Sequence, residues 1–126
     1  MNKIEIHELV NRYAYYLDKA NVESCFELFT NDATLELRIG KAQGKEEIYI
    51  LLNKILNFTK GKRHFISNII CDIQDNTANS YSYLLVVDAS DSTKVIMTGV
   101  YEDELVKENE KWKIKNRRVV VDPSFK

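Results

Sequence analysis

Glycine and proline are scarce, with four glycines and one proline in 126 residues. A chain so poor in both has no flexible linker, no collagen-like repeat and no low-complexity segment. Residues 1–126 therefore read as one domain, a length that buries roughly two-thirds of the unfolded-chain surface. Cysteine is also rare. Cys25 and Cys71 are the only two, in neither CxxC nor CxH spacing. That speaks against a disulfide scaffold and suits two buried thiols. There are two histidines, distant from each other and without a carboxylate at ligand spacing. No metal site is expected from them.

Neither sign of charge dominates: 18 basic and 19 acidic residues give a net charge of -1. The basic residues are scattered, which argues against binding nucleic acid or a membrane surface by electrostatics. No run approaches the ~20 apolar residues that span a bilayer. The start, "MNKIEIHELV", is charged and amphipathic rather than a targeting segment, so a cytoplasmic protein is expected. No Gly-rich phosphate loop and no nucleophile elbow occurs, and no cofactor is expected.

What is present divides into a helical first half and a strand-rich second half. Ile6, Leu9, Val10, Tyr13, Tyr16 and Leu17 recur at helical spacing, and Asn2 with Glu5 offers a capping box. Asn21 offers a cap for a short second helix through Val22, Cys25, Phe26 and Phe29. "ATLEL" alternates as a strand, and "GKAQG" reads as a turn. "KEEIYILLNKILNF" predicts a third helix, ended at Gly61. The period then falls to two. In "RHFISNIICDI", Phe65, Ser67, Ile69, Cys71 and Ile73 share one face, and His64, Ile66, Asn68 and Ile70 the other. "YSYLLVVDAS", "VIMTGVYEDELVK" with a possible bulge at Gly99, and "WKIKNRRVVVD" follow, joined by short turns. This order predicts an α+β domain with helices on one face of an antiparallel sheet.

Few side chains here are suited to chemistry. His64, in "GKRHFISNI", stands where a helix gives way to a strand. It is either a packed aromatic or a base at the mouth of a pocket. Imidazole has an ordinary pKa of ~6.5, suited to moving protons near neutrality. Asp18 ends the first helix, where the dipole does not favour an acid, and the helical wheel puts it at the helix edge. Tyr13 lies on the apolar face of that helix, as a core aromatic or as a phenol aimed into a cavity. Arg117 and Arg118 alternate on the last strand, so only one can point inward.

"ELVNRYAYYLDKANVESCFELFTNDATLEL", "GKEEI", "RHFISNI" and "GVYEDELVKENEKWKIKNRRVVVD" together resemble the SnoaL-like branch of the NTF2-like superfamily. That branch includes scytalone dehydratase and bile-acid 7α-dehydratase. The resemblance covers nearly the whole chain. It implies a cone: three N-terminal helices packed on a strongly curved antiparallel sheet that encloses an apolar cavity, often in a homodimer. It implies a catalytic His64 and Asp18 dyad with Tyr13 as proton donor, and Asp18 facing inward. Asn68, Tyr83, Ile66, Phe26 and Tyr101 are the expected substrate-binding residues. The expected activity is a cofactor-independent lyase or isomerase, a dehydratase first, acting on a small hydrophobic hydroxy-carbonyl compound. The alternatives are a non-catalytic binding module, a subunit like the small subunit of ring-hydroxylating dioxygenases, or a dimeric scaffold with a collapsed cavity.

Overall fold

The computed structural model describes every residue, Met1–Lys126. Helix α1 (Asn2–Asp18) is followed by α2 (Val22–Phe26), β1 (Phe29–Leu37), β2 (Gly40–Gln43) and α3 (Gly44–Thr59). Four long strands complete the chain: β3 (Lys62–Gln74), β4 (Thr77–Asp88), β5 (Val95–Glu108) and β6 (Lys111–Val121), with a 3₁₀ turn at Pro123–Phe125.

The six strands form one sheet, in the order β2-β1-β6-β5-β4-β3. Consecutive strands from β3 to β6 pair antiparallel, as short turns require. The sheet is nevertheless mixed, because β1 lies parallel to β6. Turn lengths report only on consecutive strands, so this long-range seam was invisible to them. "GKAQG" is also more than a turn: Gly40–Gln43 pairs with β1 as a short edge strand.

Some helix ends follow local chemistry and others do not. The Asn21 side chain accepts the Ser24 amide at 3.1 Å and caps α2. Gly61, at φ +76°, follows the α3 C-cap in the left-handed conformation. Asn2 does not cap α1. Its Oδ1 instead accepts from Trp112 Nε1 at 3.2 Å and Lys107 Nζ at 3.3 Å, tying the helix start to β5 and β6. The end of α1 closes as a Schellman turn. Asn21 N donates to Tyr16 O and Ala20 N to Leu17 O, with Ala20 at φ 56°. This turn sets where Asp18 sits.

Two sheet irregularities matter. Asn68 adopts φ 56° at a bulge in β3, between the Ser67–Tyr83 and Ile70–Tyr81 pairs. Asparagine tolerates that conformation better than most residues. The extra residue reverses the alternation: His64 and Ile66 turn inward before the bulge, and Ile69, Cys71 and Ile73 after it. The uninterrupted two-residue period expected from sequence therefore fails at Asn68. Gly99 is not a bulge. A Cβ there would lie 2.5 Å from the Val120 carbonyl oxygen, so the residue is glycine because the β6 backbone passes so close. Gly99→Ala is expected to destabilise the protein by about 1–3 kcal/mol, read as a lower urea midpoint at unchanged slope.

Helices α1 and α3 cover one side of the sheet, α1 chiefly over β3 and α3 over β1. Between them lies the core, with Ile6, Val10, Leu35, Ile48, Leu52 and Ile114 all fully buried. At ~25 cal/mol per Å² of apolar surface, side chains of this size each contribute about 1.5–3 kcal/mol.

Candidate active site

His64 opens β3 and Asp18 closes α1, and the packing of α1 on β3 brings them together. The His64 ring Nδ1 is 2.7 Å from Asp18 Oδ1. The His64 backbone N–H also donates to both carboxylate oxygens, at 3.2 Å each. A carboxylate only accepts, so Nδ1 carries the proton and, in the neutral ring, Nε2 keeps its lone pair. The His64 side chain is 5% exposed and that of Asp18 19% exposed, so water screens the pair weakly.

The imidazole forms part of the wall of an apolar cavity of about 90 Å³. Tyr13, Leu17, Leu84, Met97, Tyr101 and Val119 are among its other walls. Phe58, Ile39 and Arg38, all surface-exposed, stand at its rim. Asp18 is not one of its walls. It faces a groove on the other side of His64, with Asn11, Tyr15, Lys19 and Arg63. The inward orientation expected for Asp18 is thus replaced by a second-row position. It touches the histidine from the solvent side, in keeping with its place at the edge of the helical wheel.

Tyr13 is one of the cavity's walls, 1% exposed, and its hydroxyl has no hydrogen-bond partner within the protein. Its ring meets Phe29 and Tyr101 edge-on, with centroids at 6.0 Å and 5.8 Å. Of the five residues expected to bind substrate, Tyr101 alone is a cavity wall. Ile66 borders the outer groove. Tyr83 is 57% exposed and points to the opposite face of the sheet. Asn68 is exposed at the bulge. Phe26 packs against Tyr49 and lies under the Lys45 ammonium, away from the cavity. The bulge explains Asn68: it departs from the histidine's face where the alternation breaks.

Sequence reasoning missed Asp103. Arg117 is the inward arginine of its pair, and Asp103 clamps it through two hydrogen bonds of 2.7 Å. Both side chains are fully buried. The guanidinium carbon lies 4.3 Å from the Tyr13 ring centre and 4.0 Å from that of Tyr101. The alternation Tyr101, Asp103, Leu105 in β5 could have revealed an inward acid opposite an inward arginine, had the β5–β6 register been known.

Burial dominates the ionisation of this layer. It pushes the Tyr13 phenol well above its ordinary value, with Tyr101 adding to the shift. Burial also raises Tyr101, against the opposing charge of Arg117. It pushes the Cys25 thiol up to about 12. For Arg117, burial favours the neutral form, but the charge and hydrogen bonds of Asp103 outweigh it and hold the guanidinium protonated. The raised phenols and thiol have a consequence for stability. Their neutral forms suit the fold, so the stability linked to them is fully present below the thiol's ordinary value of 9.0. As pH rises past that value and past the phenol value of 10.0, the unfolded chain releases protons that the folded chain retains. Each group then removes about 1.4 kcal/mol per pH unit. The urea midpoint is expected to fall steeply above about pH 9, and Cys25→Ser with Tyr13→Phe to flatten that fall.

No three His, Cys, Asp or Glu side chains converge in a metal-binding group. No helix is long and apolar enough to cross a membrane.

The SnoaL-like domain family matches residues 2–118. No curated protein matches the sequence. Among solved structures, a protein of unknown function with a cystatin-like fold from Nostoc punctiforme is 36% identical, with a TM-score of 0.91 over 97% of this chain and 92% of that one. A candidate scytalone dehydratase from Novosphingobium aromaticivorans is 27% identical, with a TM-score of 0.84 over 96% of this chain and 84% of that one. An NTF2-like protein with a cystatin-like fold from the same organism is 19% identical, with a TM-score of 0.84 over 96% and 82% of the two chains. At that identity the likeness is one of fold. Matched along nearly its whole length, with three helices on a mixed six-stranded sheet, the chain belongs to the SnoaL-like domain family and has the NTF2-like, cystatin-like fold.

Proposed function

We propose that the protein is a cofactor-independent dehydratase acting on a small hydrophobic hydroxy-carbonyl compound. The observation that carries this reading is the 2.7 Å contact between His64 Nδ1 and Asp18 on the wall of an apolar cavity. Asp18 fixes the tautomer and stabilises the imidazolium that forms. Nε2 removes the proton α to the substrate carbonyl. Tyr13 donates to the oxygen on which enolate charge builds; the β-hydroxyl then takes the proton held by the His64 imidazolium and leaves as water, as the enolate electrons form the C=C bond and the neutral base is restored. The same groups support a keto–enol isomerisation. The candidate scytalone dehydratase at 27% identity lends the reading support from similarity.

The test is a panel of short β-hydroxy ketones, followed by the rise of conjugated-enone absorbance. Enone formation that His64→Ala abolishes is expected. Turnover indifferent to His64, or none across the panel, would contradict the reading. A cavity of about 90 Å³ favours a second reading, a scaffold whose hollow has closed, since ligand sites for drug-sized molecules run ~300 Å³ and above. Under the dehydratase reading, rotation of Phe58 and Ile39 at the exposed rim admits the substrate. Mass spectrometry of a small molecule retained by the purified protein separates the two.

A homodimer is part of the same proposal. Phe65, Ile70, Tyr81 and Tyr83, each between 44% and 61% exposed, lie together on the outer face of β3 and β4. Such a patch is suited to a self-complementary contact. Sedimentation is expected to give a dimer, and Tyr83→Asp with Phe65→Asp a monomer.

A further inference from the structure

Two side chains on the cavity wall carry a buried polar atom without a hydrogen-bond partner: Tyr13 at Oη and Thr59 at Oγ1. The proposed elimination uses the first and assigns nothing to the second. Thr59 is the last residue of α3 and is 7% exposed. A threonine in a helix can turn its hydroxyl back to the carbonyl four residues earlier. Thr59 does not: neither the Ile55 carbonyl nor any other group of the protein pairs with its hydroxyl. Buried polar groups are normally paired. A lone hydroxyl on the wall of a mostly apolar hollow is placed to orient a ligand.

The other polar wall groups are few. His64 supplies the base, and Tyr13 and Tyr101 supply phenols. Arg38 is exposed at the rim and already donates to the Phe125 carbonyl oxygen at 3.0 Å. A β-hydroxy ketone brings two oxygens to this wall. Its carbonyl oxygen only accepts, and suits Tyr13. Its hydroxyl donates as well as accepts, and the elimination sets how that hydroxyl must lie. A lone pair has to face Nε2 to take the imidazolium proton, so the hydroxyl's own hydrogen has to point elsewhere. Against apolar side chains that hydrogen would go unpaired. Turned to the Nε2 lone pair, it would occupy the base before the α-proton is reached. A separate acceptor is needed. A phenol oxygen, whose lone pair is drawn into its ring, accepts less well than an alkyl hydroxyl, and Thr59 has the one alkyl hydroxyl on the wall.

We propose that Thr59 is the binding residue for the leaving hydroxyl: its Oγ1 accepts the substrate's O–H, turns the hydroxyl's lone pair toward Nε2, and so tells β-hydroxy ketones from ketones that lack the hydroxyl. This rests on the dehydratase reading and adds the end of α3 to its machinery. When the C–O bond breaks, the leaving oxygen keeps its own hydrogen, still donated to Thr59, gains the proton from His64, and departs as water.

The test compares pinacolone with its hydroxylated counterpart, in which one methyl of the tert-butyl group is CH₂OH. The carbon between carbonyl and carbinol bears no hydrogen, so neither ketone can lose water, and binding is read apart from turnover. Affinities come from NMR titration of each ketone. Thr59→Val keeps the side chain's shape and removes its hydroxyl. It is expected to lower the ratio of hydroxyketone to pinacolone affinity by about tenfold, with pinacolone still bound. Thr59→Ser, which keeps a hydroxyl, is expected to retain most of the ratio. The urea midpoint of Thr59→Val is expected to equal or exceed that of wild type, because the hydroxyl it removes has no partner in the fold. A ratio that Thr59→Val leaves unchanged overturns the proposal and leaves the dehydratase reading standing. So does a ratio that falls as far in Thr59→Ser, or a Thr59→Val midpoint clearly below wild type, which would mean that the hydroxyl is paired within the protein. Wild type that binds neither ketone overturns the proposal together with the reading of the cavity as a substrate site.

Discussion

His64→Ala is expected to lower turnover of a β-hydroxy ketone by about 10²–10⁴-fold, the usual contribution of a positioned base. The fold should survive the change. The backbone N–H of residue 64 still donates to both oxygens of Asp18, so the α1–β3 junction keeps part of its tie. Circular dichroism should therefore match wild type while enone formation collapses. Asp18→Asn is the companion test. The amide keeps the shape and an acceptor oxygen but loses the charge that stabilises imidazolium and the preference that fixes the tautomer. A loss of roughly 10²-fold or more is expected, again without unfolding. Full activity in either variant would take that residue out of the mechanism.

The largest effect on stability is expected at Asp103. Asp103→Ala leaves Arg117 charged, buried and uncompensated, and should destabilise the protein by about 3–5 kcal/mol. The double variant Arg117→Met with Asp103→Leu should recover most of that loss, because two apolar side chains replace a pair whose desolvation offset much of its attraction. Urea denaturation of the three proteins measures the difference. A single variant as stable as wild type would mean that water reaches Arg117.

The fold and the site were legible in the sequence to different depths. Helical spacing in α1 and α3, the Asn21 cap and the Gly61 stop are local features, and local chemistry reported them faithfully. The parallel β1–β6 seam, the Asn68 bulge and the role of Asn2 depend on partners distant in sequence. Asn2 illustrates the point. Its side chain had two possible fates, a helix cap or a tie to Trp112, and packing chose the second. The meeting of His64 and Asp18 was implied by family resemblance, not by periodicity. Residue spacing correctly put Asp18 at the helix edge, and only the packing of α1 on β3 shows that this edge borders the histidine. Asp103 went unnoticed because an acid in an alternating strand looks solvated until the opposite strand presents an arginine.

The central claim is that His64, held by Asp18, acts as a base inside the cavity. Hydrogen–deuterium exchange at the α-carbon of cyclopentanone in D₂O tests it without the natural substrate, because α-proton removal is the first step of both dehydration and isomerisation. Exchange followed by proton NMR should run well above buffer with wild-type protein and drop by about 10²-fold or more with His64→Ala. Exchange no faster than buffer, or equally fast in the variant, would contradict the account.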